Sequence, residues 1–196
     1  MKKEGKNQSI KQKPIEWGGG IESSSMSHDA KIPRRSTNKE RTYLQGRGGY
    51  LLMIREINSQ DFEGLMALYT QLHNNPMPKR TEEIEALWQQ ILEDRSHHII
   101  VAEEDGKIVA SCVCVIIPNL THGQRPYAFV ENVITDVAYR KRGLATACLD
   151  YAKEIAEREN CYKMMLLTGS KEESTLKFYE RAGYNRKDKT AFIQWL

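Results

Sequence analysis

The segment from Phe129 to Ala145 constrains the fold more than any other part of the chain. A largely apolar run, Phe129 to Val137, leads into Arg140-Lys141-Arg142-Gly143-Leu144-Ala145, and a helical pattern starts near Lys141. A strand, a basic glycine-containing turn and a helix start thus follow one another closely. Such a junction aims several backbone N–H groups and the positive end of a helix dipole at one spot. That spot suits a phosphate or pyrophosphate. Lys141 and Arg142 add positive charge, and Gly143 lets a ligand approach the backbone. The spacing matches neither a Walker loop nor a dinucleotide G-x-G-x-x-G fingerprint.

The flanking periodicities extend this unit into a domain. Tyr50 to Ile57 reads as a first strand. Ser59 is expected to cap a helix carrying Phe62, Leu65, Met66, Leu68, Tyr69 and Leu72, with acidic Asp61 and Glu63 in its first turn. Asn74-Asn75-Pro76 stops that helix. Thr81 caps a second one, whose stripe is Ile84, Leu87, Trp88, Ile91 and Leu92. His98 to Glu103 and Lys107 to Ile117 flank Glu104-Asp105-Gly106, a hairpin signal. Pro118 to Pro126 reads as a loop and Tyr127 to Asp136 as a central strand. Leu144, Cys148, Tyr151, Ala152 and Ile155 form the stripe of the helix after the basic turn. Lys163 to Thr168 then predicts a strand, Ser174 to Ala182 a helix and Thr190 to Leu196 a final strand. One more short strand is expected near 184–188. The order predicts an α/β (α+β) fold, a mixed sheet with helices on both faces.

Charge divides the chain. Residues 1–49 hold eleven Lys/Arg against five Asp/Glu, a net +6; the whole chain is +3, so residues 50–196 are net −3. The first 49 residues show no hydrophobic period and include Gly18-Gly19-Gly20 and Ser23-Ser24-Ser25. They are expected to form a disordered basic segment, with the domain at 50–196. The four cysteines, at 112, 114, 148 and 161, lack metal-ligand spacing and read as small apolar residues. That argues against zinc. A cytoplasmic location follows from the lack of a signal-peptide pattern and of a membrane-length apolar run.

Two motifs carry a resemblance. Arg140-x-x-Gly143-x-Ala145 resembles the acyl-coenzyme A signature of the GNAT N-acetyltransferase superfamily, [QR]-x-x-G-x-[GA]. Glu131-Asn132-Val133-Ile134-Thr135 ends five residues before Arg140, as the family's central strand does. Phe178-Tyr179-Glu180-Arg181-Ala182-Gly183-Tyr184 resembles the second signature, [FLY]-Y-x-x-x-G-[FY]. Cys161-Tyr162-Lys163 and Lys177 to Glu180 are similar to the glucosamine-6-phosphate acetyltransferase branch. The resemblance covers roughly Ile54 to Leu196 and implies a GNAT-like fold, with a mostly antiparallel central sheet and acetyl-CoA as co-substrate.

Acetyl transfer from a thioester to an amine needs a neutral amine, a polarised carbonyl and a proton for the leaving thiolate. The resemblance makes Tyr179 the general acid; packing of its helix on the sheet is the plainer role. Glu131, among Phe129, Val130 and Val133, is a candidate base whose pKa burial would raise. Its plainer role is pairing with Arg125 or Asn132. The resemblance also assigns the pantetheine arm to the backbone of Val133, Ile134 and Thr135. It assigns the pyrophosphate to Arg140 and to the backbone of Lys141, Arg142, Gly143, Leu144, Ala145 and Thr146. Many relatives carry asparagine seven residues before the tyrosine. Glu172 stands there, leaving Ser174 or Lys171 for that contact. His122, Arg125 and Tyr127, in the loop before the central strand, are candidate acceptor contacts; Arg125 would suit an anionic acceptor.

The leading expectation is transfer to a small primary amine by direct attack in a ternary complex, with homodimer formation left open. An acyl-cysteine route also stays open. Alternatives are a protein N-terminal or lysine acetyltransferase, a non-catalytic acyl-CoA-binding protein and a nucleic-acid-associated protein using the basic segment. Glu131 and Tyr179 together argue against the non-catalytic reading. The segment's lack of interleaved aromatics argues against nucleic acid. A further expectation is that residues 1–52 lie outside the functional protein and that Met53 is the natural first residue. The composition shifts near Tyr50, and the resemblance begins at Met53-Ile54-Arg55. The codons of Gly48-Gly49 could also encode a purine-rich ribosome-binding run. A genuine tail is the alternative.

Overall fold

The computed structural model describes residues 41–45, 50–72 and 76–196. Their strands are β1 (Arg41–Gln45), β2 (Tyr50–Glu56), β3 (His97–Glu104), β4 (Lys107–Ile117), β5 (Tyr127–Thr135) and β6 (Met164–Leu166). The helices are α1 (Phe62–Tyr69), α2 (Glu82–Glu93), α3 (Leu144–Arg158) and α4 (Glu173–Arg181). The strands form one sheet in the order β1-β2-β3-β4-β5-β6. Every pairing is antiparallel except β5–β6, which is parallel. The mixed, mostly antiparallel sheet is the expected one.

Alternation of side chains along the strands fills both faces of the sheet. On one face Ile54, Ile100, Cys112, Cys114 and Val130 pack against Leu144, Cys148, Tyr151, Ala152 and Ile155 of α3. On the other, Ile99, Val101, Val113 and Ile134 meet Phe62, Leu65 and Leu68 of α1 and Trp88 of α2. Phe62 and Trp88 meet edge to face at 5.4 Å. Fully burying a side chain such as Leu65 contributes about 1.5–3 kcal/mol. The β3–β4 turn has Asp105 and Gly106 both at positive φ, 49° and 80°. That is the twist a two-residue hairpin requires.

Several boundaries differ from the sequence expectations. The disordered-segment expectation falls largely on residues outside those described, but β1 lies within it and pairs with β2. A five-residue strand with two charged or amide termini gives no readable period. Ser59 does not cap α1. Asp61 occupies the cap position, and its carboxylate instead takes Arg55 at 2.6 and 2.8 Å and the Asn58 N–H at 2.6 Å. Thr81 does cap α2, accepting from the Ile84 N–H. Helix α3 starts at Leu144 rather than near Lys141, because Lys141 and Gly143 sit at φ 62° and 79°. Of the helix-stop signal Asn74-Asn75-Pro76, the two asparagines lie outside the described residues. Neither Thr190–Leu196 nor 184–188 forms a strand. Strand propensity is realised only against a partner edge, and neither segment is paired with a described strand. Phe192, Ile193, Trp195 and Leu196 are exposed.

Candidate active site

Strand β5 changes neighbours along its length. Its first part pairs with β6, from Ala128–Met164 to Val130–Leu166, and there β6 ends. On the other side the β4 register slips between Ser111 and Val113, so Cys112 faces both Asn132 and Val133. This bulge puts Asn132 at φ 51°. A bulge bends and twists its strand and redirects its side chains. From Glu131 to Thr135 the β6-side edge has no strand beside it among the described residues. Its backbone groups can therefore serve a ligand in extended form, as an added strand would.

Glu131 lies on β5 at this opening, and its charge acts on Tyr179 of α4. Burial raises the Tyr179 phenol above its ordinary value, with further contributions from Cys112 and from the Glu131 carboxylate. Burial likewise raises Glu131, against a smaller opposing contribution from the Asn132 backbone N–H. Both groups therefore favour their protonated forms more than in water. Tyr179 is fixed by Phe178 at 4.9 Å and by Tyr184 at 6.2 Å. Gly183, at φ 92°, turns the chain so that the Tyr184 N–H reaches the Tyr179 carbonyl at 3.0 Å. Glu131 shares the α1 face with Val113, opposite it in the register.

The basic turn follows β5 through a 3-10 turn at Val137–Tyr139. Asp136 caps that turn, accepting from the Ala138 N–H at 2.9 Å and from Lys107 Nζ at 2.9 Å. The Lys107 ammonium holds the Asp136 carboxyl below the usual range. Arg140 donates to the Thr135 carbonyl at 3.3 Å. Arg142 is committed elsewhere than expected: it pairs with buried Glu104 at 2.6 Å and lies over the Tyr139 ring at 5.3 Å. Its charge thus fixes the turn. Lys141 is exposed. A Cβ added at Gly143 would meet nothing within 4 Å. The opening turn of α3 (Leu144, Ala145 and Thr146) carries N–H groups without intrahelical acceptors. Open space, a left-handed glycine and a fifteen-residue helix start fit a pyrophosphate.

The remaining candidates separate. Ser174 is exposed in the first turn of α4, and Lys171 is exposed just before it. Arg125 is held by the Asn160 and Cys161 carbonyls at 3.1 and 2.8 Å, tying the loop before β5 to the end of α3. Two of its guanidinium nitrogens make this tie, and neither reaches Glu131. His122 stacks on Tyr162 at 4.0 Å, and Tyr127 meets the same ring at 6.2 Å. These three residues cluster at the start of β5, several residues before the opening. Burial pushes Cys114 and Cys148 up to about 12 and Cys112 well above its ordinary value. These thiols stay protonated, which disfavours an acyl-cysteine route. Glu104, Lys107 and Asp136 carried no sequence motif, and their pairings with Arg142 and with one another arise only in the folded sheet.

Residues 52–184 match the family model of the acetyltransferase (GNAT) family. A glucosamine 6-phosphate N-acetyltransferase of Trypanosoma brucei brucei is 34% identical over 84 residues, 43% of this chain and 55% of that protein. The chain thus spans about half the length of that relative. Glucosamine 6-phosphate N-acetyltransferase 1 of Oryza sativa subsp. japonica is 27% identical over 153 residues, 73% of this chain and 87% of that protein. A solved structure from Agrobacterium tumefaciens str. C58, assigned to the acetyltransferases, is 38% identical. It superposes with a TM-score of 0.68 over 72% of this chain and 99% of that one. The chain belongs to the GNAT family of acetyltransferases.

Proposed function

We propose that the enzyme acetylates the primary amine of a small-molecule acceptor by direct attack within a ternary complex. What supports this reading is the β5 edge from Glu131 to Thr135, left without a strand beside it where β6 ends, leading into the open left-handed turn at Gly143 before α3. Acetyl-CoA supplies the thioester. The β5 edge at Val133, Ile134 and Thr135 would hold the pantetheine arm. Arg140, with the backbone from Lys141 to Thr146, would hold the pyrophosphate, and Ser174 lies at the start of α4. Glu131 takes a proton from the acceptor ammonium, directly or through water, so that the amine can attack. Tyr179 keeps its proton at neutral pH and delivers it to the departing thiolate.

The relatives named above point to an amino sugar phosphate as the first acceptor to try. Acetyl-CoA and a panel of amines that includes glucosamine 6-phosphate should release free thiol, with an N-acetyl product seen by mass spectrometry. Acetylation of lysine peptides alone, with no small amine turned over, would overturn the reading in favour of a protein acetyltransferase. No described helix is long and apolar enough to cross a membrane, and the free cysteines fit a reducing cytoplasm. The homodimer expectation draws support from exposed Phe192, Ile193, Trp195 and Leu196, a patch suited to a second copy. Light scattering on the full chain tests it, and a monomer at micromolar concentration rejects it.

A further inference from the structure

Glu104 and Lys107 are register partners that close the β3–β4 hairpin. They carry opposite charges, and each grips its opposite in the segment that leads from β5 to α3. At the start of that segment, Lys107 Nζ lies 2.9 Å from Asp136 Oδ2. At its end, Glu104 takes the Arg142 guanidinium at 2.6 Å. Tyr139 stands midway in sequence between the two contacts, and both cations lie over its ring. The Lys107 ammonium is 4.8 Å from the ring centroid and the Arg142 guanidinium 5.3 Å. An aromatic face attracts a cation at such distances. Asp136 and Glu104 are both buried, and a buried carboxylate is costly without its partner. One hairpin end thus holds the segment at three points.

The first half of the segment spends its backbone donors within the protein. The Asp136 N–H donates to the Val109 carbonyl at 2.9 Å, and the Tyr139 N–H to the Asp136 carbonyl at 2.8 Å. The Val137 N–H donates to the Gln71 side-chain carbonyl at 3.1 Å, and the Ala138 N–H to the Asp136 carboxylate at 2.9 Å. Farther on, α3 opens with the bond from the Ala147 N–H to the Gly143 carbonyl at 3.0 Å. The N–H groups of Leu144, Ala145 and Thr146 therefore have no acceptor within the helix. Between the anchored half and these donors, Lys141 and Gly143 bend the chain at positive φ. A side chain such as that of Lys141 persists in this region only where the surrounding structure imposes it.

We propose that Lys107 and Tyr139 are positioning residues for the coenzyme: with the Glu104–Arg142 pair they clamp the segment so that the donors at the start of α3 face the pyrophosphate. The inference rests on the reading of that turn as the pyrophosphate site. Lys107→Met keeps an apolar stem and removes the ammonium, and Tyr139→Leu removes the aromatic face. Each should weaken acetyl-CoA binding roughly 10–100-fold, the scale of a small misplacement at a site. Lys107→Arg and Tyr139→Phe keep a cation over an aromatic ring and should restore affinity to within about twofold of wild type.

Calorimetry with acetyl-CoA on the full chain compares these four variants, the Lys107→Met/Tyr139→Leu double variant and Gly143→Glu. The double variant should lose little more than either single one, because the two residues act as a unit. Losses that multiply would make Lys107 a separate electrostatic contact and overturn the clamp. Wild-type affinity in both Lys107→Met and Tyr139→Leu would overturn it as well. A second measurement follows the Gly143 and Leu144 backbone amides by NMR without coenzyme. They should move in Lys107→Met and Tyr139→Leu and return in the conservative variants, and unmoved signals overturn the positioning role. Gly143→Glu separates the two readings. Wild-type affinity there rejects the pyrophosphate site and the coenzyme role of the clamp with it. Lost binding there, beside wild-type affinity in Lys107→Met and Tyr139→Leu, rejects the clamp alone.

Discussion

Glu104, buried at the β3–β4 turn, accepts a 2.6 Å hydrogen bond from the Arg142 guanidinium. The pair joins the hairpin turn to the turn before α3, thirty-eight residues later in the chain. A basic residue in the ligand-binding signature thus acts as an anchor for the loop. Arg142→Ala would leave the Glu104 carboxylate buried and unpaired. Because Arg142 is itself about a third exposed, the expected cost is roughly 1–3 kcal/mol. Urea denaturation reads it directly. Acetyl-CoA affinity should weaken as well, since the turn loses its tether. An Arg142→Ala protein of wild-type stability would show that the pair is only a surface contact.

Gly143 gives a sharper test of the proposed pyrophosphate site. Its φ of 79° strains any L side chain, yet the space at its Cβ is open. Gly143→Ala should therefore cost stability only modestly, on the order of 1 kcal/mol. Gly143→Glu adds bulk and negative charge where the pyrophosphate would bind. Calorimetry with acetyl-CoA should show binding lost or severely weakened in a folded Gly143→Glu protein. Unchanged affinity would move the coenzyme elsewhere.

Tyr179→Phe keeps the packing against Phe178 and Tyr184 and removes only the hydroxyl. Loss of a general acid costs about 10²–10⁴-fold in rate. Turnover should fall by that amount, with acetyl-CoA affinity close to wild type. Wild-type turnover would leave Tyr179 as a packing residue.

Glu131 makes opposite predictions for rate and stability. Burial raises its folded-state pKa above the unfolded value. As a base it must be ionised, so kcat/KM should fall as pH drops through that raised pKa. Its contribution to stability has the other sign. The native state binds the proton more tightly, so the cost of the buried charge is absent at pH below the unfolded pKa. That cost sets in as pH rises and is complete above the folded pKa. Glu131→Gln should therefore erase the acidic limb of the rate profile and lower the rate, while stability at neutral pH holds or rises. An unaltered profile would assign the base to another group.

The sequence conveyed periodic elements well and tertiary commitments poorly. The α3 stripe from Leu144 to Ile155 and the Asp105-Gly106 turn are local signals, and both match the structure. The helix that carries Tyr179 was legible in the same way. The fates of Arg125 and Arg142 were not. Each is a long cation whose partner, the Asn160 and Cys161 carbonyls or Glu104, is brought near only by the folded sheet. The bulge at Asn132 was hidden for a similar reason. It is a register slip between two strands, and neither strand alone shows it. Thr190–Leu196 reads as a strand by composition, yet a strand also needs a neighbour.

A chain beginning at Met53 tests whether the preceding residues matter to catalysis. It removes β1 and the first three residues of β2, including buried Leu52. Both lie toward the β1 end of the sheet, whereas the proposed site lies between β5 and β6 at the other end. Stability and catalysis should therefore separate. Loss of Leu52 packing and of the β1 ladder should lower the melting temperature and expose the β2 edge, which favours association between copies. The kcat of the folded fraction should stay within about twofold of the full chain, because stability differs from element to element and the site elements keep their contacts. A companion chain beginning at Arg41 retains β1 and should recover the melting temperature. If the Met53 chain folds but loses most of its turnover while the Arg41 chain keeps it, β1 is part of the catalytic domain and Met53 is excluded as its functional start.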